Sequence, residues 1–367
     1  MMKKVAVLGS TGSVGSQTVQ VIRENPDKLK AVSLVAFSNG EKLARQAETL
    51  GVTCTGLISE DKNCLFKAVE NCDVAVVATK GITALQTVLY CLQNGVEVAL
   101  ANKEVLVCAG RLVRETAEKY HGKILPVDSE HCAITQCLRG GKAEDVDKIL
   151  LTASGGPFWD YSARQLKRVT AKEALQHPNW NMGQKITVDS ATMMNKALEV
   201  VEAHWLFDVP TDKIQIVVHR QSVVHSMVQW KSGSVSAQLA YPDMKLPIQL
   251  ALIGEGKCNI PKLDFENLLQ LTFQKCDFEK FPCARLGYEM ENYPELCLTI
   301  MNGANDVCVQ NFLQGNLPFD KFYDVITRCV ENFACIVSGE QLSVENIVKY
   351  DAASRKFAQK IVNEVVC

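Results

Sequence analysis

The sequence lacks the features that mark membrane and nucleic-acid-binding proteins. No apolar run within its 367 residues approaches the ~18–20 residues that a helix needs to cross a bilayer. Its 39 basic and 41 acidic residues give a formal net charge of −2, so no basic excess is available for DNA, RNA or an anionic membrane. We therefore expect no membrane or nucleic-acid partner, and any anionic ligand must be bound by a local site.

A disulfide framework and a structural zinc site are also missing, although the chain has 15 cysteines. There is no Cys-x-x-Cys pair, and no cysteine and histidine stand at zinc-site spacing. Most cysteines have apolar neighbours, as in Tyr90-Cys91-Leu92, which is typical of small buried hydrophobic residues. An apolar run follows Met1-Met2-Lys3-Lys4 at once, so we expect no targeting peptide and a reducing, cytoplasmic location.

The pattern of apolar runs predicts three domains. Short apolar strands alternate with helical stretches in the first third of the chain, which is typical of right-handed βαβ units in a parallel sheet. After about residue 125, strand-like runs mix with loops rich in Gly, Pro and Ser, and after residue 284 the pattern is helical. The predicted fold class is α/β, with these parts: a Rossmann-like parallel sheet at 1–125, a central α+β catalytic domain at 126–255, a linker at 256–283 and a helical domain at 284–367.

A glycine-rich segment, GSTGSVG at 9–15, lies between the first predicted strand and the first predicted helix. Glycines at this point allow a tight turn and a close approach to a pyrophosphate, which the amides of the helix N-terminus attract. The alternative is a purely structural turn. The second strand ends in AFSNG at 36–40, without the acidic residue that usually binds the ribose of NAD. This difference favours NADP.

Two later segments supply carboxylates that suit a hard cation. Asp128 and Glu130 are two residues apart, and on an extended segment they would project to the same side. Asn195, Lys196 and Glu199 have the spacing of one helix face. Three carboxylates without a cysteine ligand predict Mg²⁺ or Mn²⁺. Solvated surface charges are the alternative for each residue taken alone.

Loops between these segments predict an anion site and a lid. The LTASGGPF segment at 151–158 runs from a strand into a turn whose amides and Ser154 hydroxyl suit a phosphate, together with Ser190, Asn195 and Lys196. The HPNWNMG segment at 177–183 places large apolar groups in a turn-forming loop, which indicates a flap, 176–184, that excludes water; Trp180 could instead dock the loop on the core. We interpret His219 and His225 as hydrogen-bonded sheet histidines.

These motifs, with LANKE at 100–104, PVDSEH at 126–131 and KITVDSATMMNKALEV at 185–200, closely resemble the 1-deoxy-D-xylulose 5-phosphate reductoisomerase family. The resemblance extends in order over nearly the whole chain. It implies a homodimeric enzyme of the non-mevalonate isoprenoid pathway that uses NADPH and Mg²⁺ or Mn²⁺ to make 2-C-methyl-D-erythritol 4-phosphate. The carbon skeleton would rearrange by retro-aldol and aldol steps or by an α-ketol shift.

The resemblance also implies roles for individual residues. The implied metal ligands are Asp128, Glu130 and Glu199, and the implied catalytic residues are these three with Lys103 and His177. The implied substrate-binding residues are Lys103, Ser129, Glu130, Ser154, His177, Ser190, Asn195, Lys196 and Glu199. The implied cofactor-binding residues are Thr11, Gly12, Ser13, Val14, Asn39, Asn102, Glu104 and Gly183.

The chain departs from the family pattern at three places. Phe37-Ser38 stands where many members have small and basic residues, Arg220 replaces a usual proline, and the helical-domain motif reads NGAND at 302–306. Two alternative functions remain: an NADP-dependent semialdehyde dehydrogenase and a catalytically silent NADP-binding sensor. The dehydrogenase would need a nucleophilic cysteine beside a histidine base, and no cysteine has such a motif. The sensor would have no use for the carboxylates, the phosphate site and the flap together.

Overall fold

A parallel sheet of six strands forms the N-terminal part of the protein. A computed structural model describes residues 2–180, 182–267 and 270–366, and the residues between and beyond these ranges are not described. The strands are β1 (Lys3–Leu8), β2 (Leu29–Ala36), β3 (Cys54–Leu57), β4 (Val74–Val77), β5 (Glu97–Leu100) and β6 (Ile124–Pro126). Their spatial order is β3-β2-β1-β4-β5-β6, and every pairing is parallel. The α/β, Rossmann-like prediction is confirmed.

Helices cover both faces of this sheet, so its strands are apolar along their length. The helices are α1 (Ser13–Glu24), α2 (Gly40–Leu50), α3 (Cys64–Val69), α4 (Leu85–Gln93) and α5 (Lys103–Tyr120). All four residues of β4 are fully buried. The strand order reverses between β1 and β4, and in open α/β sheets ligands bind at the carboxyl ends of strands beside such a reversal.

A mixed sheet of five strands follows. The strands are β7 (Val146–Ala153), β8 (Ile214–Val218), β9 (Val224–Trp230), β10 (Val235–Leu239) and β11 (Gln274–Lys275), in the order β10-β9-β7-β8-β11. Only the β7–β8 pairing among these described strands is parallel. The segment that we expected to be a linker, 256–283, contributes β11 to this sheet.

The connection from β7 to β8 and the segments beside it carry several helices. They are α6 (Ser129–Leu138), α7 (Ala163–Leu166), α8 (Ala171–Ala174), α9 (Gln184–Ala191), α10 (Met194–Phe207) and, after β10, α11 (Lys245–Ile253). α10 packs against α5, and so joins the crossover to the first sheet. Met193, between α9 and α10, has a positive φ of 62°, and this residue separates the two helices.

The C-terminal part of the chain is helical, as expected. The helices are α12 (Leu286–Glu289), α13 (Leu296–Leu313), α14 (Phe322–Val337) and α15 (Val344–Val366). α13 packs against α14, α15 and α5, and most of its residues are buried. A hydrophobic core therefore continues from the first sheet through α5 and α10 into these helices.

The cysteines contribute to this interior. Of the 14 in the described residues, 11 are buried, and none forms a disulfide. Burial raises the pKa of several thiols, for example that of Cys91 to about 12, so these thiols stay protonated. The interpretation of the cysteines as buried hydrophobic residues is confirmed. No helix in the described ranges has the length and apolar character of a membrane span.

Candidate active site

The glycine-rich turn joins β1 to α1 at the reversal of strand order. Gly9 has a φ of +94°, and a Cβ there would lie 2.4 Å from the Ala78 carbonyl oxygen. A Cβ on Gly15 would lie 2.1 Å from the Gly9 carbonyl oxygen. Gly12 begins α1 without a side-chain cap, so the first amides of the helix stay available to an anion. The turn fits a cofactor pyrophosphate.

At the end of β2 the chain presents neutral groups. The Asn39 side chain caps α2 and accepts a hydrogen bond from the Lys42 amide, 3.1 Å away. Lys42 Nζ donates to the Thr11 carbonyl oxygen at 2.9 Å, which connects α2 to the glycine-rich turn. No carboxylate follows β2 where an NAD-binding fold usually has one, and Lys42, in the first turn of α2, brings a positive charge near this end of the sheet.

Three successive side chains at the start of α5 contact different parts of the protein. Asn102 caps the helix and donates to the carbonyl oxygens of Thr79 (2.9 Å) and Gly81 (2.7 Å) in the loop after β4. Lys103 points to the carboxylates of the site, whereas Glu104 accepts from Lys185 Nζ at 3.0 Å. Lys103 is buried, so its ion pairs belong to the interior of the site and not to the surface.

Asp128, Glu130 and Glu199 come together, with one carboxylate oxygen of each within 4.8 Å of the others. Two ammonium groups bridge them. Lys103 Nζ lies 2.6 Å from Asp128 Oδ2 and 2.9 Å from Glu199 Oε1, and Lys196 Nζ lies 2.7 Å from Glu130 Oε1. Positive charge thus already occupies the space between the carboxylates.

The local backbone around Asp128 differs from our expectation. We predicted an extended segment for 126–131, but Asp128 is the N-cap of α6, and its side chain accepts from the Glu130 amide at 3.2 Å. Because Glu130 lies in the first turn of that helix, the two carboxylates meet by capping geometry rather than by strand alternation. The helix N-terminus adds partial positive charge beside them.

The crowding of carboxylates shifts their proton affinities. Burial and the negative charge of Glu199 raise the pKa of Glu130 to about 7. Burial alone would also raise the pKa of Asp128, but the Lys103 ammonium and the neighbouring His131 ring hold it well below its usual range. A dication among these oxygens would relieve the repulsion that acts on Glu130, so the three carboxylates fit Mg²⁺ or Mn²⁺.

A second layer behind the carboxylates escaped the sequence analysis. His131 Nδ1 lies 3.2 Å from Asp128 Oδ1 and 3.3 Å from Glu202 Oε2, and its Nε2 is 3.0 Å from the Glu199 carbonyl oxygen. Although burial lowers it, these carboxylates raise the pKa of His131 to about 9. The spacing was a usable signal, because His131 and Glu202 each follow a carboxylate of the trio by three residues on a helix.

Ser154 and His177 form the core of the predicted phosphate site. Their side chains are 2.9 Å apart, from Oγ to Nε2. His177 Nδ1 accepts from the amides of Asn179 (3.2 Å) and Trp180 (3.0 Å), so the neutral ring carries its proton on Nε2 and donates it to Ser154. Ser154 Oγ also accepts from the Gly156 amide at 3.1 Å, which leaves its O–H to donate to a ligand.

His177 is held neutral by its surroundings. Burial, and then the positive charges of Arg220 and Lys196, lower its pKa to about 4. The flap around it is anchored by Asn179, whose Nδ2 donates to the Arg220 carbonyl oxygen and to Ser222 Oγ, each at 2.8 Å. Asn181, within the flap range 176–184, lies outside the described residues.

One cavity of about 670 Å³ unites these groups. Fifteen of the site residues expected from the sequence line it: Thr11, Gly12, Ser13, Val14, Lys103, Asp128, Ser129, Glu130, Ser154, His177, Gly183, Ser190, Asn195, Lys196 and Glu199. Asn39, Asn102 and Glu104 are not among the lining residues: Asn39 is exposed and caps α2, Asn102 is buried and caps α5, and Glu104 pairs with Lys185. No cysteine is among the described residues that line the cavity, which removes the nucleophile that a semialdehyde dehydrogenase requires.

Comparison with known proteins decides the family. A family model described as "1-deoxy-D-xylulose 5-phosphate reductoisomerase" matches residues 5–65 and 48–110, and models of the C-terminal domains of this enzyme match 124–207 and 239–357. The reductoisomerase of Clostridium perfringens is 40% identical, covering 99% of this chain and 100% of that protein. That of Thermoanaerobacter pseudethanolicus is 42% identical, covering 98% of this chain and 99% of its own length. The chain belongs to the 1-deoxy-D-xylulose 5-phosphate reductoisomerase family.

Solved reductoisomerase structures have the same fold. A crystal structure of the enzyme with NADPH, fosmidomycin and magnesium superposes with a TM-score of 0.93 at 35% identity, covering 99% of both chains. The Zymomonas mobilis reductoisomerase with NADPH superposes with a TM-score of 0.90 at 33% identity, also covering 99% of both chains. Neither the semialdehyde dehydrogenase nor the sensor interpretation is favoured by these relatives.

Several cavity residues of this reductoisomerase family member were not selected from the sequence as site residues. They are Lys42, Trp180, Met182, Ser222, His225 and Met244. His225 lies on β9, with Trp180 tilted over it at 5.9 Å between ring centroids, and burial lowers its pKa to about 4. His219 accepts from the Val223 amide and contacts the Thr272 carbonyl oxygen at 2.8 Å. His225 thus lies in the sheet, whereas His219 follows the end of β8, and the sheet-histidine interpretation missed that both histidines line the cavity.

Proposed function

We propose that this protein converts 1-deoxy-D-xylulose 5-phosphate to 2-C-methyl-D-erythritol 4-phosphate in the non-mevalonate isoprenoid pathway. It is an NADP-dependent oxidoreductase that uses NADPH and Mg²⁺ or Mn²⁺. The observation that carries the proposal is a single cavity lined by the glycine-rich turn, three carboxylates and the Ser154–His177 pair. Each serves a separate requirement of the reaction: a dinucleotide, a dication and a phosphorylated substrate.

Asp128, Glu130 and Glu199 would hold the metal. When bound, the dication would polarise the carbonyl and hydroxyl oxygens of the ketose. Lys103 and Lys196 now pair with the same carboxylates, and a dication would release their ammonium groups from part of that pairing. Lys103, which is 2.9 Å from Asn195 Oδ1, is then placed to contact a substrate oxygen.

The cofactor would lie along the glycine-rich turn. Thr11, Gly12, Ser13 and Val14 would contact its phosphates through backbone amides and hydroxyls. NADPH supplies the hydride that reduces the rearranged aldehyde. Asn39 would contribute from the exposed end of β2, Asn102 and Glu104 would support the site from the start of α5, and Gly183 would close over it from the flap.

The substrate phosphate would be bound by Ser154, Ser190, Asn195 and Lys196, with His177 and Ser129 completing the enclosure. The neutral His177 would hold the Ser154 hydroxyl so that its hydrogen points to the phosphate. Binding energy from this remote group would close the 176–184 flap and align the reacting carbons. A substrate without phosphate should therefore lose turnover as well as affinity.

The organisation of the chain follows from the same proposal. We propose an NADPH-binding domain at 1–125, a catalytic domain at 126–255, a linker at 256–283 that adds β11 to the catalytic sheet, and a helical domain at 284–367, in a cytoplasmic homodimer. Edge strand β10 supports the dimer, because it pairs on one side only among the described strands, with Val235 at its start 48% exposed and Tyr241 after its end 46% exposed. An unprotected edge of this kind is a surface that a second copy could cover.

The decisive experiment measures NADPH oxidation with 1-deoxy-D-xylulose 5-phosphate after chelation, with and without added Mg²⁺ or Mn²⁺. We expect turnover only with metal. Glu199→Gln should abolish metal-dependent turnover yet still bind NADPH, whereas the exposed control Glu60→Gln should behave like wild type. Binding of NADPH without turnover in the wild type would favour the sensor, and full turnover by Glu199→Gln would remove the metal assignment.

A further inference from the structure

The loop after β2 lacks a charged group for the one phosphate that distinguishes NADPH from NADH. In dinucleotide-binding folds this loop contacts the adenosine ribose, and a basic residue nearby accommodates the 2′-phosphate. Here the loop reads Phe37-Ser38-Asn39-Gly40. Ser38 and Asn39 can donate hydrogen bonds but cannot neutralise a dianion. A cation must come from elsewhere.

Lys42 is the nearest lysine in sequence, and its position meets the requirement. It lies in the first turn of α2, its side chain faces the cavity, and its Nζ donates to the Thr11 carbonyl oxygen at 2.9 Å. It therefore lies between the end of β2 and the glycine-rich turn, where the adenosine half of a dinucleotide runs. The neighbouring charges Glu41 and Arg45 are paired with each other.

The hydrogen bond that Lys42 now makes is weak compared with one to a phosphate. A carbonyl oxygen is a neutral acceptor, whereas a phosphate oxygen would form a charge-assisted hydrogen bond of roughly twice the strength. The flexible four-carbon side chain lets the ammonium move from one to the other. The Lys42 backbone stays fixed meanwhile, because its amide donates to Asn39 Oδ1.

We propose that Lys42 binds the 2′-phosphate of NADPH and is the residue that makes this protein prefer NADPH to NADH. The inference rests on the proposed function, because it assumes a dinucleotide along the glycine-rich turn. Phe37, with 65% of its surface exposed at the end of β2, would stack on the adenine ring. Since adenine is common to both cofactors, Phe37 should add affinity without selectivity.

The test is a fluorescence titration of Lys42→Gln with NADPH and with NADH, in the absence of substrate. The affinity for NADPH should fall about 10-fold, the value of one charge-assisted hydrogen bond at an exposed site, while the affinity for NADH should change less than about 2-fold. Added salt should weaken NADPH binding more in the wild type than in the variant. Lys42→Arg, which keeps the charge, should retain most of the selectivity.

Two controls separate this site from general effects. Lys30→Gln removes the same charge at the opposite end of β2 and should leave both affinities unchanged. Phe37→Ala should lower the affinities for NADPH and NADH to the same extent. If neither affinity falls, the stacking role of Phe37 is overturned. Equal losses for both cofactors in Lys42→Gln, or no loss, would overturn the role of Lys42. Failure of the wild type to bind either cofactor would instead count against the proposed function itself.

Discussion

Replacing Lys185 with methionine should destabilise the protein, because its ammonium holds together carboxylates from three helices. Lys185 Nζ lies 3.0 Å from Glu104 Oε1, 3.0 Å from Asp189 Oδ2 and 3.4 Å from Asp306 Oδ1, on α5, α9 and α13. Its side chain is 21% exposed. The three carboxylates hold the pKa of Lys185 well above its usual value despite burial, so it stays charged.

The size of the effect follows from the partners that remain. Asp306 keeps Arg355 at 2.6 Å, and Asp189 keeps the Asn305 amide at 2.9 Å, but Glu104 loses the lysine that lowers its pKa against burial. Breaking a buried ion pair costs about 3–5 kcal/mol. Because two carboxylates retain partners and Lys185 is partly exposed, we expect a loss of about 2–3 kcal/mol in the free energy of unfolding.

The assay is urea unfolding near neutral pH, compared with Lys67→Met as control. Lys67 pairs with Asp61 at 3.3 Å on the surface, and its loss should cost less than about 0.5 kcal/mol. The difference between Lys185→Met and wild type should shrink as the pH falls toward 4. The reason is that the pKa of Glu104 is lowered in the folded wild type, so its contribution to stability is fully present above its unfolded pKa of 4.5 and is lost as the pH falls below 4.5 through the lower folded pKa. A loss below about 1 kcal/mol, or one equal to the control, would refute the reasoning.

Three further predictions concern the cofactor, the phosphate and the flap. Gly15→Ala places a methyl group 2.1 Å from the Gly9 carbonyl oxygen, so the turn must distort. The affinity for NADPH, measured by fluorescence titration, should therefore fall at least about 10-fold. An unchanged affinity would contradict a rigid turn. Arg220 donates hydrogen bonds to the carbonyl oxygens of Ser154 and, at 2.8 Å, of Gly156. Arg220→Ala should therefore raise KM for the sugar phosphate about 10-fold and leave the affinity for NADPH unchanged. Equal effects on both would show a general loss of structure. The lowered pKa of His177, about 4 against 6.5, means that the unfolded chain takes up the proton first on acidification, so the free energy of unfolding should fall between these pH values. His177→Gln should flatten this part of the profile in urea unfolding at several pH values, and an unchanged slope would disprove the assignment.

The first sheet was predictable because its strands carry their own signal. The run VAVVA at 74–78 is apolar throughout, as a parallel strand covered on both faces must be, and the structure places β4 within it. By contrast, β11 has two residues and depends on a pairing between Gln274 and Val218, which no local pattern encodes.

The residues around the carboxylates were predictable, but not their bonding. An aspartate such as Asp128 is a common metal ligand and also a common helix N-cap, and local sequence cannot show that this one caps α6. Likewise, Lys103 and Glu199 are separated by 96 positions, so their contact depends on how α5 packs against α10. Long-range packing decides which charges meet, and it leaves little trace in a single sequence.

The first turn of α5 makes this segment intolerant of small insertions and deletions. Consecutive helix residues point about 100° apart, so one added residue before Asn102 would redirect three neighbouring side chains at once. The loop after β4 would lose its amide donor, the carboxylates would lose Lys103, and Lys185 would lose Glu104. Length changes among homologous chains should therefore avoid 101–105 and collect in surface loops such as 231–234 between β9 and β10.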